Sequence, residues 1–220
     1  MKQNIIMKHL LLSAVAAAGF ATSAFAGGDE PNTPKTSDPV AVSAPVSATS
    51  GLLGEKYASL SYRYVDFDGS TGHADDYRFS FNEPLKTGLD GLFDFDWTDA
   101  SAATRELSLS AGLRAYRAAY TWGTPYVEAA VGYTWEKIAG AKDDSFLWQA
   151  GIGVEFAVAP AVTVTPYVKY DHAPSLARDG RWDFGVKANY WVNQQWAVTV
   201  GIDRDDDQNT GFMVGTNFRY

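Results

Sequence analysis

From Tyr57 to Tyr220 the chain alternates apolar and polar side chains with a period of two, and it does so in ten separate segments. That period belongs to an extended strand, whose successive side chains leave opposite faces; a helix repeats at 3.6. "YASLSYRY" sets Ala58, Leu60, Tyr62 and Tyr64 against Ser59, Ser61 and Arg63, and "YRFSFNE" sets Tyr77, Phe79 and Phe81 against Arg78, Ser80 and Asn82. "FDFDW" places Phe93, Phe95 and Trp97 opposite Asp94 and Asp96, and "ELSLSAGLRAY" places Leu107, Leu109, Leu113 and Ala115 opposite Glu106, Ser108, Ser110 and Arg114. The device continues through "YVEAAVGYTWE", "FLWQAGIGVEF", "VTVTPYVKYD", "WDFGVKANY", "WAVTVGID" and the closing "GFMVGTNFRY". Pro166 interrupts the seventh segment and predicts a bulge there, since proline cannot donate to a ladder.

The two faces differ in chemistry. One is continuous and aromatic-rich. The other carries Gly, Ser, Thr and charges of both signs, which suit a cramped, wet interior. A soluble ligand-binding barrel is the competing reading, but it would bury its apolar face in a filled core. Ten alternating segments separated by turns instead fit an all-β, antiparallel, up-and-down transmembrane β-barrel of ten strands, with eight as the alternative count.

The first 26 residues give a route to a membrane outside the cytoplasm. Lys2 and Lys8 precede an apolar run from Leu10 to about Ala21, and small residues stand at Ala24 and Ala26. This is the pattern of a secretory signal peptide cleaved after Ala26, and the run is shorter than the ~20 residues of a membrane helix. Residues 27–54 are rich in Pro, Ser, Thr and Ala without periodicity, and are read as an extended periplasmic linker to a barrel over residues 55–220. Removing residues 1–26 takes two lysines and no acid. A mature chain of 16 basic and 26 acidic residues remains, with formal charge −10, which speaks against nucleic acid as a partner. With no cysteine, disulfides and thiolate metal sites are excluded. No cofactor is expected, and the chain is expected to be a monomer.

Connections give an orientation. Those after the odd strands, "DGSTGHADD", "TDASAATR", "KIAGAKDD", "HAPSLARDG" and "RDDDQN", are hydrophilic and charged, whereas "EPLKTG", "YTWGTP", "AVAPA" and "VNQ" are shorter or less charged. Short turns face the periplasm in such barrels, so both termini are expected there. Two aromatic belts accompany this layout. Trp97, Trp135, Trp148, Tyr170 and Trp182 are expected at the charged-loop ends, and Phe81, Tyr116, Phe156, Tyr190, Trp196 and Tyr220 at the short-turn ends.

The signal peptide, the alternating strands and the terminal "FMVGTNFRY" together resemble small bacterial outer-membrane β-barrels of the porin-like and opacity-protein-like kind, from Gram-negative-type bacteria. The resemblance implies outer-membrane lipids and lipopolysaccharide as surroundings. It also implies that the barrel-assembly machinery recognises Phe212, Val214, Phe218 and Tyr220. It covers residues 55–220 and implies no particular activity.

Candidate functional residues lie on the polar face: Arg63, Arg78, Asp94, Asp96, Arg114, Glu128, Glu155, Lys169, Asp183, Lys187 and Arg219 are expected to form a lumenal ionic network. Such a network either satisfies itself, leaving a structural or surface-interaction role, or lines a narrow porin-like passage for small solutes or ions. A third reading is an omptin-like protease, in which "DFDWTD" (Asp94, Asp96, Asp99) and "DH" (Asp171, His172) would meet near the outer rim and activate water. A lipid hydrolase using Ser175 near His172 is weaker still, and no catalytic residue or metal ligand is assigned. The acidic run Asp203–Asn209 lacks the glycine and terminal glutamate of a calcium loop and reads as solvated.

Overall fold

The computed structural model describes residues 51–69, 72–100, 104–117, 122–174, 176 and 180–220; the expected signal peptide and all of the linker before residue 51 lie outside them. Ten strands follow one another: β1 (Tyr57–Asp66), β2 (His73–Lys86), β3 (Leu89–Ala100), β4 (Thr104–Tyr116), β5 (Thr124–Ile138), β6 (Ala141–Ala159), β7 (Val162–His172), β8 (Arg181–Trp191), β9 (Trp196–Asp205) and β10 (Thr210–Arg219). Every strand pairs antiparallel with its sequence neighbours, and β1 pairs with β10 from Tyr57↔Arg219 to Asp66↔Thr210, closing the barrel. The strands are 10 to 19 residues long, enough for the 9–11 residues of a tilted membrane crossing. The count is ten, not the alternative eight.

The alternation sorts cleanly. Phe93, Val131, Phe146, Ile152, Phe184, Val200, Phe212 and Val214 are all exposed on the outside, while Ser108, Ser110, Thr134, Thr163, Asn189, Thr199 and Asn217 are buried inside. Exposed apolar surface of this extent on a closed sheet is a surface made for lipid. Rings gather towards both rims: Trp148 and Tyr170 lie 5.1 Å apart, Tyr170 and Trp182 4.9 Å, and at the other end Trp196 and Phe218 4.7 Å.

Four expectations need correction. Tyr116 does not join the outer belt. It follows Arg114 on the lumenal parity of β4, faces Tyr126 across the ladder, and its hydroxyl abuts Gly54. Pro166 causes no register shift: it pairs with Val186 in an unbroken β7–β8 ladder, and the irregularity on the β6 side falls at Ala157/Ala159. A backbone N–H serves one neighbouring strand only, so the missing donor leaves the β7–β8 ladder intact, and the gap falls on the β6 side, where Thr165 and Pro166 have no register partner. The segment "KIAGAKDD" is not a long loop. β5 and β6 run on as a ribbon to a two-residue turn, Ala139–Gly140, in which both residues take positive φ (48° and 98°), as a type I′ hairpin requires. Last, Gly51–Gly54, assigned by sequence to the linker, lies against lumenal side chains.

Candidate functional site

A cavity of about 400 Å³ lies in the barrel interior, lined from Leu52 and Leu53 at the mouth beside the start of β1 and the end of β10 to Asp205 and Asn209 at the opposite, loop-bearing mouth. Ten strands enclose more room than the eight whose side chains just fill the space, and far less than a sixteen-strand channel. What occupies that room decides what the barrel can do.

Near the loop mouth Arg63 of β1 reaches across the lumen. Its guanidinium bonds Asp76 on β2 at 3.0 Å, grips Asp203 on β9 through Nε (3.0 Å to each oxygen) and Nη2, and lies 3.7 Å from Asp183 on β8. Arg181 adds Asp171 at 3.5 Å and Asp183 at 3.4 Å. Six charged groups from β1, β2, β7, β8 and β9 thereby form one cross-lumen network. Gly211 makes it possible, because a Cβ there would lie 2.5 Å from Arg63 Nε.

Deeper in, Arg78 pairs with Asp96, and Ser80 donates to Asp94 at 2.5 Å. Arg114 pairs with Glu128 at 2.8 Å and faces the Tyr126 ring at 5.1 Å. Lys187 lies 4.7 Å over the ring of Tyr167. Lys169 lines the cavity beside them.

At the terminal mouth a short turn is seated over the opening. Glu55 N–H donates to Leu52 O at 3.3 Å, with Gly54 at φ 76°, the third position of a type II turn, where glycine is favoured. The turn is tied to four strands. Leu52 N–H donates to Glu155 on β6 at 2.9 Å and Gly54 N–H to Asp90 on β3 at 3.0 Å. Asn82 on β2 donates to Glu55 O at 2.7 Å. Arg219 on β10 donates to Gly51 O at 2.5 Å and approaches the Glu55 carboxylate at 3.5 Å, its guanidinium 3.7 Å over the Trp191 ring. Asn82 and Asp90 are fully buried beneath it.

Ten of the eleven residues singled out from sequence line this cavity and Arg219 reaches the turn at its mouth, but they form separate pairs and clusters and not one network. The sequence reading did not place Asp76 and Arg181 in the Arg63 cluster, nor the inward rings Tyr57, Tyr126 and Trp191. The parity of their strands identifies them.

The hydrolytic arrangement does not assemble. Asp171 faces the lumen and Arg181, whereas His172 is on the outer parity, its ring 6.0 Å from that of Trp148. Asp94 and Asp96 are lumenal, and Asp99 is 3.7 Å from Arg105. Ser175 lies outside the described residues. In the acidic run, Asp203 belongs to Arg63, and Asp205 accepts the backbone and side-chain N–H of Asn209, both at 2.8 Å. Asp206 accepts from Trp182 N–H at 3.2 Å. At the terminal strand Phe212, Val214 and Tyr220 are exposed, and Phe218 stacks between Trp196 and Tyr220.

No protein-family model matches the sequence, and no curated protein matches it. Among solved structures, the chain is similar to Neisserial surface protein A, with 12% identity over 75% of this chain and 96% of that one, at a TM-score of 0.44. It is similar to the β domain of the Bordetella autotransporter BrkA, with 10% identity over 76% and 99%, at 0.47. It is also similar to the outer membrane enzyme PagL, with 14% identity over 74% and 99%, at 0.40.

Proposed function

We propose that this protein is an integral outer-membrane β-barrel, closed at rest, that serves as a structural or surface-interaction component and not as a general diffusion pore. The observation that carries this is the obstruction of the lumen at both ends: the Leu52–Glu55 turn tied across one mouth, and the Arg63 cluster narrowing the other from one side of the wall. In this reading both termini are periplasmic, the charged connections meet the lipopolysaccharide, and the residues from Phe212 to Tyr220 address the chain to the assembly machinery. The refolded full chain in a planar bilayer should be electrically quiet; steady conductance would overturn the closed reading.

One observation favours a second reading, a narrow passage that opens. Residues near both mouths line the same cavity, and of the turn only Leu52 and Leu53 line it. Glu155→Gln with Asp90→Asn weakens two anchors of that turn. Discrete conductance in this variant, with the parent silent, would support gating; silence in both supports the structural role.

A further inference from the structure

At the loop end of the barrel the outer face changes character. Arg105 on β4 is the register partner of Lys137 on β5, and Lys137 is in turn the partner of Lys142 on β6. Directly opposed residues of an antiparallel pair point to the same face, with Cβ atoms about 4.5–5.5 Å apart. Parity gives the face. Lys137 follows the exposed Tyr133 and Trp135, Lys142 precedes the exposed Phe146 and Trp148, and Arg105 shares the parity of the exposed Leu113. Three exposed cations on three consecutive strands therefore stand side by side in one outward row.

The acids at this level mostly turn the other way. Glu106, Glu136 and Asp143 oppose one another on the opposite face, and Glu106 and Glu136 line the lumen. On the outer face Asp99 lies 3.7 Å from Arg105, and Asp144 accepts a hydrogen bond from the Tyr133 hydroxyl. Among the described residues neither Lys137 nor Lys142 has an acidic partner. Like charges directly opposed across a ladder are destabilising, yet this chain, acidic overall, keeps two such pairs in succession. An anion over the row changes the sign of that interaction, because ammonium and guanidinium groups give phosphate oxygens short, charge-assisted hydrogen bonds.

The surface beside the row selects the kind of anion. Two residues down β5, about 7 Å, the apolar face begins. Trp135 and Tyr133, their rings 5.1 Å apart, are followed by Val131, with Phe146 and Trp148 opposed to Tyr133 and Val131 on β6. Cations just beyond interfacial rings, above a lipid-facing wall, fit a molecule with phosphates at its head and acyl chains below.

We propose that Arg105, Lys137 and Lys142 form a docking row for the phosphorylated headgroup of an outer-leaflet glycolipid, the class to which lipopolysaccharide belongs. The inference rests on the proposed orientation, with the loop mouth outside, and names the surface on which the barrel meets that leaflet.

The probe is bisphosphorylated lipid A, supplied in neutral detergent to the refolded full chain, with the dephosphorylated lipid as its counterpart. Native mass spectrometry counts the lipid retained per barrel. One bisphosphorylated molecule is expected on the parent, and none of the dephosphorylated form at the same concentration. Lys137→Gln with Lys142→Gln should weaken retention roughly 25-fold, about fivefold per lysine. Arg204→Gln, which removes an outward arginine from β9 at the same end, should bind as the parent does. Retention that ignores the phosphates, survives in the double lysine variant, or falls equally in Arg204→Gln overturns the site. Should the double variant not fold, the two lipids compared on the parent decide. Inorganic phosphate at the lipid's concentration should not displace it; displacement would make the row a free-anion site and overturn the lipid assignment. A cysteine at Ala141, beside Lys142, separates the site from the orientation. Its labelling on intact cells, without lipid retention, refutes the docking row alone. Retention with that cysteine shielded until the outer membrane is breached refutes the orientation, and with it the outer-leaflet occupant.

Discussion

Replacing Arg63 by Met tests the cross-lumen network directly. The Arg63 side chain is 17% exposed, and its partners Asp203, Asp183 and Asp76 are 4%, 10% and 23% exposed. Removing one member of a buried ion pair while leaving the other charged costs about 3–5 kcal/mol. Two features move the expected value to the low end. Asp183 retains Arg181, and Asp76 is the most solvated of the three. Asp203 is the group left stranded, because both its oxygens are served by Arg63. Arg63→Met should therefore destabilise by about 3 kcal/mol, and adding Asp203→Asn should return most of the loss.

The assay is urea unfolding in micelles, read by the heat-modifiable gel shift, for the parent, both single variants and the double. A coupling energy of about 2 kcal/mol is expected between the two sites. Additivity to within about 0.5 kcal/mol would show that the two side chains do not depend on each other, and would refute the network.

Other outcomes follow from the same geometry. Gly185→Ala should displace the Tyr167 ring and lower the unfolding midpoint by more than Gly140→Ala in the open turn, where a Cβ meets nothing within 4 Å although φ is 98°. Val214→Arg, in mid-strand on the outer face, should reduce final stability by about 2–4 kcal/mol, whereas Tyr220→Asp at the rim should mainly slow pulse-labelled assembly; normal kinetics for Tyr220→Asp would remove the terminal residue from the assembly signal. Because the chain has no cysteine, single cysteines report topology without background. Those at Ala141 and Asn209 should react with an impermeant thiol reagent on intact cells, and those at Thr87 and Gln194 only after the outer membrane is breached.

The period of two reveals most of this architecture because each residue's face follows from its parity alone. Strand count, ladder order and the inward position of Arg63, Arg114 or Lys187 are all local properties. Cross-lumen partnerships are not. Asp203 meets Arg63 from 140 positions away, through the stagger of a closed sheet, and nothing near either residue encodes it. Tyr116 departs from its expected belt for a different reason: an aromatic at a strand end suggests the interface, but strand parity outranks residue type. The turn at Leu52–Glu55 is not marked by any alternation, because it precedes the first strand and its four residues are too few to show a period. Gly54 three residues after Gly51 was the available signal. Reading it required knowing that the buried acids Asp90 and Glu155 stood ready to accept its N–H groups.

The pairing of β1 with β10 also fixes the order of events during folding. Nine of the ten ladders join strands adjacent in sequence and can form as successive hairpins. The tenth joins the first strand to the last, and beside it Arg219 reaches Gly51 across 168 positions. Contacts of such separation carry the largest loop-closure entropy and form late. Until then β1 and β10 are both open edges with unpaired backbone groups, which neither water-free lipid nor another chain leaves harmless. The seam is therefore expected to close last. The terminal turn, whose anchors stand on both sides of it, acts as a clasp that holds only a barrel already closed.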